Sequence, residues 1–273
     1  MAMTERLRNF IGGSWLAPAA AEYRPVRNPA NDGLLAEVPL SGRAEIDAAV
    51  RSAVAAFDGW RRTPAVERVQ FLFRYKQLLE EHLDDVAQVI VDECGKTKVE
   101  ALGELRRGIE NVEVACGIPS LLQGYNNEDI ASGVDEHLFR QPLGVVAAIT
   151  PFNFPAMIPL WFLPYAIACG NCFLLKPSEQ TPLTSVRLFA LLEQTGLPPG
   201  VAQLVQGGKG AVDAILERPD VAAVSFVGST ATARAVYARA TAGGKRAQCQ
   251  GGAKNPVVVL PDADMEMTTR IVA

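Results

Sequence analysis

The stretch VVAAITPFNFP at residues 145–155 joins a short run of strand-forming residues to a loop between two prolines. Similar runs recur later in the chain and lead into the polar motifs KPSE at 176–179 and FVGST at 226–230. Helical patterns fill most of the sequence between them. Short strands that alternate with helices are typical of a parallel sheet with crossover helices. We therefore predict an α/β fold with a doubly wound parallel sheet, preceded by N-terminal helices.

The spacing of apolar residues predicts the individual elements. Before residue 140, steps of three and four residues predict three helices. These helices pass through 46–57 with Ser41 as the cap, through 69–90 as one continuous helix after Thr63 and Pro64, and through 102–116. After residue 140, apolar runs predict strands at 145–150, 172–176, 202–205, 224–227 and 257–260. A last helix is expected to begin near Asp264.

Composition excludes several classes of function. The chain has 273 residues, of which 49% are apolar, and a formal net charge of -4. With a pI near 5.4 and scattered basic residues, it has no expected nucleic-acid partner. The longest apolar stretch, 156–169, contains two prolines and is too short to span a bilayer. No secretory signal begins the chain, so we predict a cytoplasmic protein without a membrane partner.

The cysteine pattern indicates free thiols. The five cysteines are an odd number and widely spaced, which fits a reducing compartment. Cys169 and Cys172 stand in a CGNC sequence that mimics a redox pair, but their place between two apolar runs favours core residues that flank a turn. Zinc would need a second cysteine pair or histidines, and the chain has only two histidines, so no metal site is predicted.

Asn153 lies in the PFNFP loop, directly after the first strand of the predicted parallel sheet. Ligands of doubly wound sheets bind beyond the carboxyl ends of the strands. A side-chain amide held there by two prolines suits an oxyanion hole, because a preorganised donor stabilises developing negative charge. The alternative is a turn-forming asparagine without a catalytic role.

Lys176 ends the second predicted strand, and Glu179 follows three residues later. A carboxylate at this position of a dinucleotide fold accepts hydrogen bonds from ribose hydroxyls and repels a 2'-phosphate, which favours NAD over NADP. The alternative is a pair of exposed charges at a helix start, with Pro177 near the first helical position.

Ser229 follows Gly228 at the expected start of a helix after the fourth strand. Backbone N–H groups at such a start attract phosphate, and the helix dipole and the serine hydroxyl assist. A GxGxxG fingerprint is absent here. The alternative is a plain turn between a strand and a helix.

Taken together, several motifs resemble those of the aldehyde dehydrogenase superfamily. They are PFNFPAMIPLW at 151–161, LLKPSEQTP at 174–182, AVSFVGST at 223–230 and GGAKNP at 251–256. NFIGGSW at 9–15 and GELRRGIENVE at 103–113 make the chain most similar to the CoA-acylating methylmalonate-semialdehyde (malonate-semialdehyde) dehydrogenases. The resemblance covers the whole chain.

The resemblance implies a role for each site residue. Asn153 would be the oxyanion-hole amide, and Thr150 and Phe152 would line the nicotinamide side of NAD. The other cofactor contacts would be Lys176 and Glu179 at the adenosine ribose with Gln180 beside them, Ser229 at the pyrophosphate, and Gly251 near the reacting ring. Arg107 would bind the substrate carboxylate through its guanidinium fork, or would be a solvated charge beside Arg106.

The chain departs from the family pattern at Cys249, two residues before the paired glycines. Most members have a glutamate there that activates water. Its absence supports transfer of the acyl group to CoA, with an aldehyde and CoA as the small-molecule partners. A reactive Cys249 is the alternative to a passive replacement.

The resemblance also places the family's catalytic cysteine beyond Ala273, so the nucleophile is expected to be absent from the chain. Two hypotheses follow: a truncated NAD-dependent dehydrogenase whose activity belongs to the longer parent, or an inactive NAD-binding fragment or pseudoenzyme. A non-acylating aldehyde dehydrogenase is a further alternative. The expected organisation is an N-terminal helical part at 1–125, part of an oligomerisation flap at 126–140, and the NAD-binding sheet at 141–273. Full-length family members are homo-oligomers.

Overall fold

The computed structural model describes residues 5–19 and 22–272. The strands, in chain order, are β1 (Asn9–Ile11), β2 (Ser14–Leu16), β3 (Tyr23–Arg27), β4 (Leu34–Pro39), β5 (Asn126–Ala131), β6 (Val134–His137), β7 (Val145–Ile149), β8 (Cys172–Lys176), β9 (Ala202–Leu204), β10 (Val221–Val227) and β11 (Arg246–Gln250). The helices are α1 (Arg43–Arg62), α2 (Ala65–Glu81), α3 (Leu83–Cys94), α4 (Lys98–Cys116), α5 (Ile118–Leu121), α6 (Met157–Ala168), α7 (Leu183–Glu193), α8 (Lys209–Glu217), α9 (Thr230–Ala242) and α10 (Met265–Val272).

The main sheet has seven strands in the order β11-β10-β7-β8-β9-β1-β2. The strands from β11 to β9 run parallel, whereas β1 pairs antiparallel with both β9 and β2. The chain winds in one direction from β7 through β8 to β9, and in the other through β10 to β11. This arrangement confirms the predicted doubly wound parallel sheet, and it puts the reversal of strand order beside β7.

Burial explains why the central strands are continuous apolar runs. All five residues of β8, CFLLK, are buried. Helices α1 and α6 both pack against β7 and β8, and a parallel strand covered on both faces needs no polar alternation. The bounds of β8 agree with the prediction, and the strand predictions at β7, β9 and β10 differ from the structure by one to three residues.

The predicted strand at 257–260 is wrong. Its four residues are 46–80% exposed, and 251–260 has no regular secondary structure. The last strand of the sheet is instead β11, whose sequence RAQCQ aligns residue by residue with β10 from Ala223–Arg246 to Val227–Gln250. Pairing with a neighbouring strand, not local hydrophobicity, therefore decides which segment joins the sheet.

The N-terminal helices also differ in detail from the prediction. The expected continuous helix through 69–90 is two helices, α2 and α3, separated at His82. Ser41 does not cap α1: the N-cap is Gly42, and the Ser41 hydroxyl instead accepts a hydrogen bond of 3.0 Å from the Asn9 side chain. The third predicted helix is α4, which ends at Cys116, the last residue of the predicted range, and α10 begins directly after Asp264.

Strands also occur in the N-terminal part that was expected to be helical. β1 and β2 extend the main sheet, and β3 and β4 form a separate hairpin. β5 and β6 form another hairpin, whose residues are all exposed. The division of the chain after residues 125 and 140 stays a prediction, as does the role of this hairpin as part of an oligomerisation flap. Within the described residues, none of the helices combines the length and apolar character that crossing a membrane requires.

Gly200 should tolerate a side chain less well than Gly196. Both have positive φ, 88° and 76°, so alanine strains either backbone by about 1 kcal/mol. A Cβ at Gly200 would also lie 2.8 Å from Ala56 Cβ and from the Ser52 carbonyl oxygen, whereas nothing lies within 4 Å at Gly196. We expect Gly200→Ala to lower the free energy of unfolding by about 1–3 kcal/mol more than Gly196→Ala. Urea denaturation of both variants measures the difference, and equal values would contradict the close approach of α1 to the turn before β9.

Candidate functional site

The three polar motifs meet at one edge of the sheet. Ile149 at the end of β7 is aligned with Lys176 on β8 and with Phe226 on β10. The Thr150 N–H donates to the Lys176 carbonyl oxygen over 3.1 Å, which joins the first two loops at their start. Because the order of strands reverses beside β7, this edge is the place where a doubly wound sheet binds its ligand.

The loop after β7 presents Asn153 to solvent. Phe152 is 50% exposed, whereas Thr150 is buried. The Phe152 carbonyl oxygen accepts hydrogen bonds from the Thr181 hydroxyl at 3.2 Å and the Cys94 thiol at 3.5 Å. Among the residues described, none forms a hydrogen bond with the Asn153 side chain. The Asn153 amide is therefore free to donate to a ligand, while hydrogen bonds to the Phe152 carbonyl oxygen hold the neighbouring backbone.

An ion pair joins the end of β8 to the loop that follows it. The Lys176 side chain is 6% exposed, and its ammonium donates to Glu179 Oε2 over 3.2 Å. The other carboxylate oxygen lies 3.6 Å from the Arg24 guanidinium. Burial lowers the pKa of Lys176, although the Glu179 charge acts against this effect. Burial acts to raise the pKa of Glu179, but Lys176, hydrogen bonds and Arg24 outweigh it, so the pKa is lowered and the carboxylate is ionised.

The helix-start alternative for Lys176 and Glu179 is wrong, because the next helix, α7, begins only at Leu183. Gln180 is exposed next to Glu179, and its N–H donates to the Ser178 hydroxyl over 3.2 Å. Arg24 was not among the residues predicted for the site. It lies on β3, in the separate hairpin, and no local pattern in its surroundings indicates that it reaches the loop after β8.

The loop after β10 places Ser229 at the N-cap of α9. The Ser229 hydroxyl oxygen accepts from the Thr232 N–H over 3.3 Å, which orients the first turn of the helix. Gly251, directly after β11, lies against this turn, since a Cβ there would come within 3.1 Å of Thr230 Cα. The structure thus brings Ser229 and Gly251 together at the positive end of a helix dipole.

Arg107 lies on α4, on the side of the PFNFP loop. Its guanidinium is 5.8 Å from the centre of the Phe154 ring, and its Nε donates weakly to the Gly103 carbonyl oxygen at 3.4 Å. The neighbouring Arg106 points elsewhere and pairs with Glu80 over 2.6 Å. The two arginines therefore differ in surroundings, and Arg107 is the one that lies beside the loop of Asn153.

The five thiols are all free. Burial raises the pKa of each of them, including Cys249, whose neighbours provide no cation that lowers it. A nucleophilic cysteine needs a lowered pKa, so these thiols have the character of structural cysteines. Cys169 and Cys172 flank the turn between α6 and β8, as predicted, and Gly170 there has a φ of 86°.

Fold and site together define an α/β protein whose sheet edge carries an exposed amide, a paired carboxylate and a helix N-terminus. The sequence profile of the aldehyde dehydrogenase family matches residues 15–273, and the chain belongs to this family. Its similarity to particular members is as informative as the family match.

Malonate-semialdehyde dehydrogenase 3 of Geobacillus kaustophilus is 52% identical over 98% of this chain. The crystal structure of methylmalonate-semialdehyde dehydrogenase from Oceanimonas doudoroffii superposes with a TM-score of 0.93 at 46% identity, over 98% of this chain. The crystal structure of a putative methylmalonate-semialdehyde dehydrogenase from Sinorhizobium meliloti 1021, complexed with NAD, superposes with a TM-score of 0.93 at 44% identity, over 99% of this chain. The chain spans 55% of the length of each of these proteins.

Glu93 should make the stability of the chain depend on pH. Burial raises the pKa of Glu93 from 4.5 to about 7, and the nearby Glu104 adds to the rise, against opposing hydrogen bonds from Thr184 and Leu183. A carboxyl with a higher pKa in the folded state contributes its stability below the unfolded pKa, and the contribution is lost as pH rises through the folded pKa. This loss amounts to roughly 3 kcal/mol by about pH 8.

Urea denaturation at several pH values tests this dependence. Glu93→Gln should flatten the decline of unfolding free energy between about pH 5 and about pH 8, because it removes the titrating group. The control is Glu110→Gln, which changes an exposed glutamate on α4. A decline that persists unchanged in Glu93→Gln would contradict the assignment.

Proposed function

We propose that this chain is the NAD-binding part of a CoA-acylating semialdehyde dehydrogenase, which oxidises an aldehyde of the malonate-semialdehyde type to an acyl-CoA. The observation that carries the proposal is the ionised Glu179 at the carboxyl end of β8, next to the reversal of strand order. The names of the relatives at about half identity support the substrate class, and the NAD complex of one similar structure supports the cofactor.

The residues at the sheet edge fit NAD. A carboxylate has about four lone-pair positions, so Glu179 can hold the adenosine ribose hydroxyls while it remains paired with Lys176. Ser229 and the first turn of α9 suit the pyrophosphate, with Gly251 against the same turn. Thr150 and Phe152 would face the nicotinamide, and Gln180 would lie beside the ribose. Bound NAD would supply the hydride acceptor.

The residues on the substrate side fit the remaining chemistry. The free Asn153 amide would donate to the oxygen of the aldehyde as negative charge develops on it. Arg107 would hold the distal carboxylate of the substrate. A thiolate would attack the aldehyde carbon to give a thiohemiacetal, which would lose a hydride to the nicotinamide acceptor and become a thioester. The CoA thiol would then displace the enzyme thiolate and leave as the acyl-CoA. By the family resemblance, Cys249 would stand where most members have a water-activating glutamate, and this difference favours acyl transfer to CoA over hydrolysis.

The family resemblance assigns the nucleophilic role to none of the five thiols of this chain, and the raised pKa of each thiol agrees with that assignment. The same observation favours the second candidate, an NAD-binding module without turnover of its own. The two candidates share the cofactor site and differ in whether a longer parent protein completes the chemistry.

Cofactor selectivity tests the role of Glu179. Isothermal titration calorimetry should give tighter binding of NAD than of NADP, because the carboxylate repels the 2'-phosphate. Glu179→Gln should reverse or abolish this preference by about tenfold or more. The substitution removes the repulsion and leaves the cations of Lys176 and Arg24 free to attract the phosphate. Glu110→Gln, on an exposed glutamate, serves as the control. Tighter binding of NADP by the unaltered chain would sink the proposal.

Turnover tests the assignment of the nucleophile. The 273-residue chain, supplied with malonate semialdehyde, NAD and CoA, should produce no NADH above background in an absorbance assay. Cys249→Ala should behave identically. Turnover by the unaltered chain that Cys249→Ala abolishes would overturn the assignment and make Cys249 the reactive thiol.

A further inference from the structure

The connection from α3 to α4 contacts both of the loops that carry Asn153 and Glu179. Three charged residues of this helix pair lie far from the two loops in sequence, and we predicted no role for them from the sequence. They are Glu93 near the end of α3, Lys96 between the helices, and Glu104 on α4. The side chains of Glu93 and Glu104 are buried. Burying a carboxylate is costly unless hydrogen bonds and opposite charges compensate, so the partners of each carboxylate show what it holds in place.

Glu104 holds the start of α6. Its carboxylate is 0% exposed. A single oxygen, Oε1, accepts from the N–H groups of Ala156 at 2.9 Å and Met157 at 3.1 Å. Ala156 is the N-cap of α6 and Met157 is its first residue, so neither N–H group has a partner within the helix. The negative charge also suits the positive end of the helix dipole. Because α6 begins four residues after Asn153, Glu104 fixes the far end of the PFNFP loop.

Lys96 joins this carboxylate to the loop itself. Its ammonium donates to Glu104 Oε2 over 2.6 Å, and it lies 3.8 Å from the centre of the Phe154 ring. A cation at this distance from an aromatic face is attracted to the ring. One ammonium therefore neutralises the buried charge and holds the residue next to Asn153.

Glu93 holds the start of α7 in a different way. Its two oxygens each accept from one N–H group, Leu183 at 2.7 Å and Thr184 at 2.8 Å. The loop of Lys176 and Glu179 ends at this point. The hydroxyl of Thr181 in that loop and the Cys94 thiol both donate to the Phe152 carbonyl oxygen, so the two loops are also joined to each other.

We propose that Glu93, Lys96 and Glu104 are positioning residues, which fix the two loops of the cofactor site from the helical layer. Glu104 and Lys96 position the loop of Phe152 and Asn153, whereas Glu93 positions the loop of Lys176 and Glu179. The proposal rests on the proposed function for the identity of the ligand, NAD. The positioning itself is independent of that identity.

Amide hydrogen exchange of the unliganded chain tests the positioning. Glutamine at 104 retains an oxygen that can accept from both Ala156 and Met157, whereas glutamine at 93 can serve only one of Leu183 and Thr184. At about pH 8, where Glu93 is ionised, Glu104→Ala should raise the exchange rates of Ala156 and Met157 about tenfold, and Glu104→Gln should restore most of the protection. Glu93→Gln should raise the exchange rate of Leu183 or Thr184.

The β8 amides of Leu174 and Leu175 are the internal reference for the exchange experiment. Their exchange should stay unchanged in all three variants, because the effect is local. If β8 and the two helix starts exchanged faster together, or if none of the four helix-start amides responded, the positioning role would be overturned. Because no cofactor is present, this outcome does not depend on whether NAD binds.

Binding of NAD and of ADP-ribose, which lacks the nicotinamide, tests the consequence for the site. Lys96→Met should weaken the binding of NAD about fivefold and leave the affinity for ADP-ribose within about twofold of the unaltered chain. The reason is that Lys96 positions the loop of Phe152 and Asn153, which would face the nicotinamide. Lys96→Arg should restore NAD binding. Glu93→Gln should weaken both ligands alike. Lys98→Met, two residues from Lys96, removes a lysine that reaches only the exposed Asp84 and is the control.

The two experiments separate failure of this inference from failure of the proposed function. An unaltered chain that binds neither ligand would refute the proposed function, while the exchange rates would still decide the positioning role. If Lys96→Met weakened the binding of NAD and of ADP-ribose equally, or if Lys96→Arg failed to restore NAD binding, the assignment of Lys96 and Glu93 to different loops would be wrong.

Discussion

The parallel register of three strands is the constraint on which the site depends. Ile149 is aligned with Lys176 on one side and with Phe226 on the other, so the loops after β7, β8 and β10 leave the sheet at the same level. Evenly spaced hydrogen bonds between parallel strands hold this alignment. A shift of one residue in either pairing would turn the buried side chains to the opposite face of the sheet and displace Glu179 or Ser229 from Asn153.

The buried charges of Lys176 and Glu104, beside this edge of the sheet, each have a partner of opposite charge. Lys176 is buried against Glu179, and Glu104 is buried against Lys96 and two backbone N–H groups. Networks of this kind are costly if one partner is removed and rigid if all partners are present. The result is a backbone held in place around side chains that remain available, of which Asn153 is the clearest example.

Sequence predicted most of the parallel strands and the loops that follow them, because both depend on local signals. The apolar run of β8 and the prolines around Asn153 act within a few residues of themselves. β11 was not predicted, because its sequence, RAQCQ, is largely polar and the strand joins the sheet only by pairing with β10. The apolar run 257–260, which was predicted as a strand, is exposed. The roles of Arg24, Glu93 and Glu104 were not predicted either, because their partners are distant in sequence. Glu104 meets its partners 52 and 53 residues away, and Glu93 meets its partners 90 and 91 residues away, so no short motif contains both members of a contact.

The central claim is that one ligand, NAD, occupies all three loops at this edge. Chemical-shift mapping during a titration of the chain with NAD tests this claim most directly. The account predicts that the largest changes cluster at Thr150 to Asn153, Lys176 to Gln180, and Ser229 with Gly251, and that the exposed hairpin of β5 and β6 does not respond. Changes that are confined to one loop, or that appear away from the carboxyl edge of the sheet, would contradict it.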